Sequence, residues 1–478
     1  MSVQLIPTPK NYKVGEEFYS FPATITSNAS FDQAVFVFSE YCIKLGVRFS
    51  YTQHGVINMI TDSSLSAGAY KIKITMTQVN LFASDLSGMH HAYATILQLI
   101  KVSAAADTIL LPVCDIYDYP DTGYRGMMVD LARAWHDFEY LLRYIDMCYF
   151  YKASVLHLHF TDDQSYTLPS DLYPKLSTKD RYYSKTQINN LVQYAYSRRI
   201  ELVPEIDVPG HCISFQEAYP EIFGTMNIIC QHPTSMQAMK DIFAELCDMF
   251  PYSKYIHIGG DEAAINKWTT CCECMEYIQG KGIDTQAEDK RLLAEQCLAN
   301  FVSEIGDAVL KKERIPIAWE GFAKQVNYMI SRDIIIMSWE NYYQLTPELL
   351  EAGFNIINCS WDPMYIVAPV VQRSTKEVYD WSVYKWKPVH PDSPYIQAGV
   401  EISPTKQVLG GQLLAWGDHI INQYPVVSDG IAAECTMLQD RIPYLAENTW
   451  NINKTHTYDS FSPRVASLND RLNKILYT

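Results

Sequence analysis

The chain has 478 residues, a formal net charge of -16, and 48% hydrophobic and 13% aromatic residues. That composition belongs to a globular protein with material for a sizeable core. The acidic balance argues against broad contact with nucleic acid or an anionic membrane, since either needs a basic face.

No run of about 18 uncharged apolar residues occurs, so no membrane-spanning helix is expected. Residues 1–10 lack a basic segment followed by an apolar run, which reads as no secretory signal and a cytoplasmic location. Twelve cysteines are present, many inside apolar segments, such as Cys148, Cys297 and Cys359. They read as buried free thiols suited to a reducing compartment. Cys271, Cys272 and Cys274 form a tight cluster, but a metal site needs a second pair or histidines at matching spacing. The sequence offers neither, so no metal and no cofactor are expected. Asn28-Ala29-Ser30 and Asn453-Lys454-Thr455 fit a glycosylation pattern that is common by chance.

In chain order, residues 1–118 read as a small α+β domain with a strand over 70–75 and a helix over 89–102. The polar segment 115–121, with Tyr117-Asp118-Tyr119-Pro120-Asp121, reads as a linker. Residues 119–478 then alternate strand and helix. Apolar runs of strand length fall at 127–129, 155–160, 202–206, 255–258, 315–319, 334–339, 356–361 and 408–416. Between them, Leu141, Ile145 and Cys148 mark a helix after Asp137. Ser184-Lys185-Thr186-Gln187 is a capping box before an apolar stripe of Ile188, Leu191, Val192 and Ala195. A short helix over 347–353 fits between the sixth and seventh runs. Eight such alternations imply an α/β (β/α)8 TIM barrel. An open doubly wound sheet is the architectural alternative, but neither Rossmann nor P-loop glycine spacing follows the early strands.

In such barrels the site lies at the carboxyl ends of the strands. Polar residues crowd those ends here: Asp130 and Arg133 after the first run; His157, His159, Asp162 and Asp163 around the second. The third leads to Glu205, Asp207 and His211, and the fourth to Asp261 and Glu262. The last four end near Trp319, Trp339, Trp361 and Trp416. Carboxylates ringed by tryptophan suit a sugar, whose C–H face stacks on aromatic rings and whose hydroxyls bind carboxylates and arginine. Singly, each residue has a structural reading: a tryptophan caps a core, Arg133 makes an ion pair, Asp207 caps a turn. Their joint placement is harder to explain that way, because buried charge is costly.

The stretches Asp130-Leu131-Ala132-Arg133, His157-Leu158-His159-Phe160-Thr161-Asp162-Asp163, Pro204-Glu205-Ile206-Asp207-Val208-Pro209-Gly210-His211 and His257-Ile258-Gly259-Gly260-Asp261-Glu262 resemble glycoside hydrolase family 20, the β-N-acetylhexosaminidases. The likeness extends over essentially the whole chain. Residues 5–10 and 88–99 are similar to the small domain that precedes the barrel in that family. The resemblance implies an exo-acting, retaining hydrolase that releases terminal β-linked GlcNAc or GalNAc from a glycan. The substrate's own acetamido oxygen would attack C1 and form an oxazolinium ion; the family is a known exception to the two-carboxylate mechanism. Glu262 would be the general acid, with a raised pKa, and Asp261 would orient the acetamide N–H. Tyr365 would bond the acetamide oxygen, and Trp319, Trp339 and Trp416 would wall the sugar. Arg133 would bind the C3 and C4 hydroxyls, with Asp162, His211 and Asp207 forming a network behind Glu262.

Three positions depart from that family pattern. Arg133-Ala134 replaces Arg-His, Val367 stands where an acidic residue is common, and Trp416-Gly417-Asp418 replaces Trp-x-Glu. The last two face C4 and C6 in the family. They leave open an enzyme for a C6-modified sugar, such as a sulfated one, or for release of a disaccharide. A barrel hydrolase using Glu205 and Glu262 as an ordinary carboxylate pair is a further alternative. A sugar-binding protein without catalysis would be expected to lack Glu262 or Tyr365, and both are here.

Overall fold

The computed structural model describes residues 4–25, 30–51, 56–367, 371 and 373–478. Of the glycosylation patterns, Asn28-Ala29 therefore lies outside the described residues.

The N-terminal region is a sheet in which Asn11–Pro22, Thr108–Asp118, Tyr70–Ile74, Val79–Ala83 and Ile57–Thr61 lie side by side. All pairs are antiparallel except the last. Along Tyr70–Ile74 the pleat alternates Tyr70, Ile72 and Ile74 inward with Lys71 and Lys73 outward. The helix Leu86–Leu99 starts where Asp85 accepts the Gly88 N–H at 2.7 Å. It stops before Lys101–Val102, which joins the sheet instead of ending the helix. The segment read as a linker proves to be strand as far as Asp118. Its composition is polar, but Ile116 and Asp118 are buried while Asp115 and Tyr117 point outward, which is strand periodicity. The buried Asp118 accepts hydrogen bonds from Tyr70 Oη at 2.7 Å and Trp450 Nε1 at 2.8 Å.

Eight parallel strands follow: Tyr124–Asp130, Val155–His159, Glu201–Glu205, Tyr255–His257, Ile315–Trp319, Ile335–Ser338, Ile356–Asn358 and Val408–Ala415. The ring closes because strand eight pairs with both strand seven and strand one. At that seam Gly410 has φ +148°, and a Cβ there would sit 1.8 Å from Tyr124 O, so only glycine fits. All seven residues of strand one and all five of strand two are buried, as expected for strands covered on both faces. Outside lie the helices Phe138–Phe150, Lys185–Ser197, Pro233–Met249, Lys290–Lys311, Thr346–Glu351 and Val427–Trp450. Ser184 and Gln187 complete the capping box read from the sequence.

Polar ties join the N-terminal sheet region to the barrel. Tyr41 donates to Asp146 at 2.7 Å, and Lys152 Nζ donates to Tyr70 Oη at 2.8 Å. Among the described residues no helix is long and apolar enough to cross a membrane, and all twelve cysteines are free.

Candidate active site at the strand ends

Carboxylates and bases alternate from the barrel interior outward. Glu205, the last residue of strand three, is fully buried. It meets His159 Nδ1 at 2.6 Å and Trp319 Nε1 at 2.6 Å, with His157 and His257 nitrogens at 3.0 and 2.9 Å. Burial opposes its charge, but His257, His159 and His157 outweigh that and hold its pKa well below the usual range. Both oxygens are thus engaged by buried nitrogens inside the barrel.

The chain of contacts continues from His159 Nε2 to Asp162 at 2.9 Å. Asp162 meets Arg133 Nη2 at 2.7 Å and His211 Nδ1 at 3.4 Å, and His211 Nε2 lies 3.5 Å from Glu262. Asp207 stands 3.9 Å from the same His211 nitrogen. Burial alone would lower the His211 pKa; Asp207, Asp162 and Glu262 outweigh it and keep the ring protonated. Asp162, His211 and Glu262 thus follow one another in contact, with Asp207 beside His211.

The turn after strand four brings Asp261 and Glu262 to opposite environments. Gly259 has φ +72°, and a Cβ there would lie 2.1 Å from Asp207 Oδ1. The next residue but one, Asp261, is half-buried as a whole, but its Oδ1 is buried and has no hydrogen-bond partner among the described residues. Burial raises its pKa to about 6, against the pull of His211 and with a contribution from Glu262. Glu262 adopts φ +46° and leaves its side chain 53% exposed. The hydrogen bond from His211, followed by the charges of His211 and Arg133, holds its pKa below the ordinary value despite partial burial. The raised pKa expected of this group is thus absent in the open site, because water reaches it and a cation faces it.

Strands five to eight supply an aromatic wall. Trp319 ends strand five and is 1% exposed; Trp339 and Trp416 follow strands six and eight. Ring centroids of Trp319 and Trp416 are 6.3 Å apart, Tyr365 and Trp416 6.1 Å, and Trp339 and Tyr365 6.2 Å. Trp361 stacks beneath Tyr365 at 5.3 Å. Burial raises the Tyr365 hydroxyl well above its ordinary pKa, with Cys359 and Asp261 adding, so it is a neutral donor. Arg133, pinned by Asp130 at 3.0 Å, lies over the Trp416 ring at 4.9 Å. The Trp416 Nε1 donor is buried without a partner among the described residues. Asp418 is 35% exposed at the rim, 3.6 Å from His419, and Val367 is buried.

Several residues that shape this site escaped the sequence reading. Glu320 accepts from the backbone N–H groups of Trp339, Asn341 and Tyr342 at 3.2, 3.0 and 2.9 Å, and its carbonyl accepts from Trp339 Nε1 at 2.9 Å. It therefore fixes the Trp339 ring, and burial raises its pKa to about 7. Ala134 and Gly417 meet so closely that a Cβ on Gly417 would lie 2.6 Å from Ala134 Cβ and 2.5 Å from Glu434 Oε2. Their small size makes room for Glu434, whose carboxyl is pushed well above its ordinary pKa by burial. Only the Trp319-Glu320 adjacency hinted at the first; nothing local marked Glu434. The cysteine cluster also gains a member. The fold brings Cys230 to Cys271 and Cys274, with the three sulfurs within 4.8 Å of one another.

A parallel barrel whose strand ends carry an arc of carboxylates facing an arc of aromatic rings has the make-up of a carbohydrate site. The chain belongs to glycosyl hydrolase family 20: the model of that family's catalytic domain matches residues 123–453, and its domain 2 matches residues 2–119. A β-hexosaminidase of Akkermansia muciniphila is 29% identical over 339 residues, 65% of this chain and 66% of that protein. One from Vibrio furnissii is 25% identical over 400 residues, 76% of this chain and 63% of that protein. The matched part thus falls just short of two thirds of these relatives' length. The crystal structure of an exo-β-N-acetylglucosaminidase from Vibrio harveyi, bound to N-acetylglucosamine, has the same fold at a TM-score of 0.80 and 23% identity. The likeness covers 98% of this chain and 77% of that one.

Proposed function

We propose that the protein is an exo-acting, retaining β-N-acetylhexosaminidase that uses the substrate's acetamido group as nucleophile. The observation that carries this reading is Asp261, which precedes Glu262 and whose buried Oδ1 has no hydrogen-bond partner among the described residues. A buried acceptor without a donor is costly, and an amide N–H arriving from the ligand relieves that cost. Tyr365 stands close enough to Asp261 to feel its charge, and as a neutral hydroxyl it donates to the acetamide oxygen.

In the first step that oxygen attacks C1 while the bond from C1 to the glycosidic oxygen breaks. Glu262 gives its proton to the departing oxygen, and an oxazolinium ion remains with its N–H on Asp261. In the second step water attacks C1, its proton passes to Glu262, and the acetamide reopens with net retention. The sugar covers Glu262 as it binds, which removes water and favours the protonated acid. Arg133 and Trp416 close the far end and suit a terminal residue. Asp162, Asp207 and His211 position Glu262 and tune its proton affinity. No step calls on a metal or cofactor.

Val367 favours one refinement. In the family pattern this position, like that of Asp418, faces C4 and C6, and its buried apolar side chain offers no hydrogen bond and no negative charge there, which supports tolerance of C6-modified sugars such as sulfated ones. Aryl β-N-acetylglucosaminides and -galactosaminides should be cleaved, and aryl glucosides without the acetamide should not. A thiazoline analogue of the oxazolinium ion should inhibit. Turnover of plain glucosides at a similar rate, with no thiazoline inhibition, would refute the reading.

A further inference from the structure

We infer that Cys230, Cys271 and Cys274 form a trithiolate site for a divalent cation of zinc's class, located between the loops that carry His211 and Glu262. Cys271 and Cys274 have C-x-x-C spacing at the start of the helix Cys272–Gly280, with Cys271 at its N-cap. Cys230 arrives from the loop that follows strand three. Zinc–sulfur bonds of 2.3 Å place tetrahedral sulfurs about 3.8 Å apart, and the three sulfurs here already lie within 4.8 Å of one another. Small side-chain rotations close the difference.

The surroundings suit thiolates. The Gln231 N–H donates to Cys274 Sγ at 3.3 Å, and Gln231 is itself held by Cys297 O and Asn300, each at 3.0 Å. Cys271 and Cys274 sit at the positive end of the helix dipole, which favours ionised sulfur. Gly224, at φ +81°, leaves the room: a Cβ there would lie 2.4 Å from Cys230 Sγ. Cys230 and Cys274 are buried and Cys271 is half-buried, so solvent water completes the tetrahedron on the Cys271 side. Binding releases the thiol protons to solvent, and no electron moves.

The consequence is structural. Ile229 N–H donates to Pro209 O at 2.9 Å, and Trp268 Nε1 donates to Ile229 O at 2.8 Å. A cation at the cysteines would clamp this junction and fix the spacing of the His211 and Glu262 loops. The site stands whether or not the proposed hydrolase activity does, and its test reads metal rather than turnover.

The full chain, purified under reducing conditions and loaded with zinc or cobalt, should retain about one equivalent after gel filtration. The cobalt form should display a sulfur-to-metal charge-transfer band in the near ultraviolet. Cys230→Ser and Cys274→Ser should lose the metal, and Cys272→Ser, which alters the exposed neighbour, should keep it. Should the variants fail to fold, alkylation of the wild type decides: the three cysteines should be protected when metal is bound and react once a chelator is added, and Tm should fall by several degrees. No retained metal, an unchanged cobalt spectrum, equal alkylation with and without chelator, or a disulfide among the three under these conditions would overturn the assignment.

Discussion

The two arcs of the pocket are built by opposite means. Strands one to four contribute charge, held in a continuous relay from Glu205 through His159, Asp162 and His211 to Glu262. Strands five to eight contribute rings, held by packing and by single donors such as Trp319 Nε1 on Glu205. A relay fails as a unit when one member is lost, because a buried charge is then left unpaired. A ring wall fails locally, through lost contact area. The charged arc should therefore govern turnover and its pH dependence, and the aromatic arc, apart from the Tyr365 hydroxyl, the choice of sugar.

The largest effect should come from Glu262→Gln. With a poorly activated leaving group kcat should fall by roughly 10²–10⁴. An activated aryl group needs little protonation, so its loss should be much smaller; equal losses on both would contradict the role. Next come Asp261→Asn and Tyr365→Phe, each expected to lower kcat by about 10²–10³ through lost transition-state stabilisation, with Tm little changed. A normal kcat in either variant would remove that residue from the acetamide site.

The pH profile gives a sharper contrast. Asp261 and Glu262 together must hold one proton in the active form, on Glu262. In the free enzyme Glu262 is held below its ordinary pKa and Asp261 is raised to about 6. The pair loses its last proton as pH rises through the upper value, so kcat/KM should fall above about pH 6. Protonated His211 depresses both carboxyls. His211→Gln should therefore lower kcat/KM and shift its alkaline limb to higher pH. A variant with reduced rate and an unmoved limb would make His211 a purely steric support.

The smallest effect is expected on the aromatic side, at Val367. Val367→Asp introduces a charged acceptor, whose hydrogen bond to a hydroxyl is worth about 1.5–3 kcal/mol, or roughly tenfold or more in selectivity. Preference for an unmodified C6 hydroxyl should sharpen, and any activity on a C6-sulfated substrate should fall. If the wild type already rejects C6-modified sugars and the variant gains nothing on plain ones, another residue holds that edge. The segment 368–370 and residue 372, which follow Val367, lie outside the described residues.

Legibility followed the range of the interaction. The eight barrel strands were visible because each is a short apolar run between helical stripes, and helix starts such as Ser184 carry their own capping signal. The strand ending at Asp118 was misread because its burial alternates under polar residues, and their partners, Tyr70 and Trp450, lie far along the chain. The motif residues lie near one another because each follows the end of a recognisable strand. What stayed hidden depended on long-range contact: the buried nitrogen partners of Glu205, the hold of Glu320 on Trp339, the space left for Glu434 by Ala134 and Gly417, and the approach of Cys230 to Cys271 and Cys274. The depressed pKa of Glu262 was hidden for the same reason, because the cation facing it comes from another loop.

The central claim, attack by the substrate's own acetamide, is tested most directly by fluorinating that group. Successive fluorines withdraw electrons from the carbonyl oxygen and weaken it as a nucleophile, while the leaving group and the rest of the sugar stay the same. Rates measured across acetamido, fluoro-, difluoro- and trifluoroacetamido aryl glycosides should fall steeply at each step. A flat series would mean that the acetamide does not attack C1, and it would contradict the assignment of Asp261 and Tyr365.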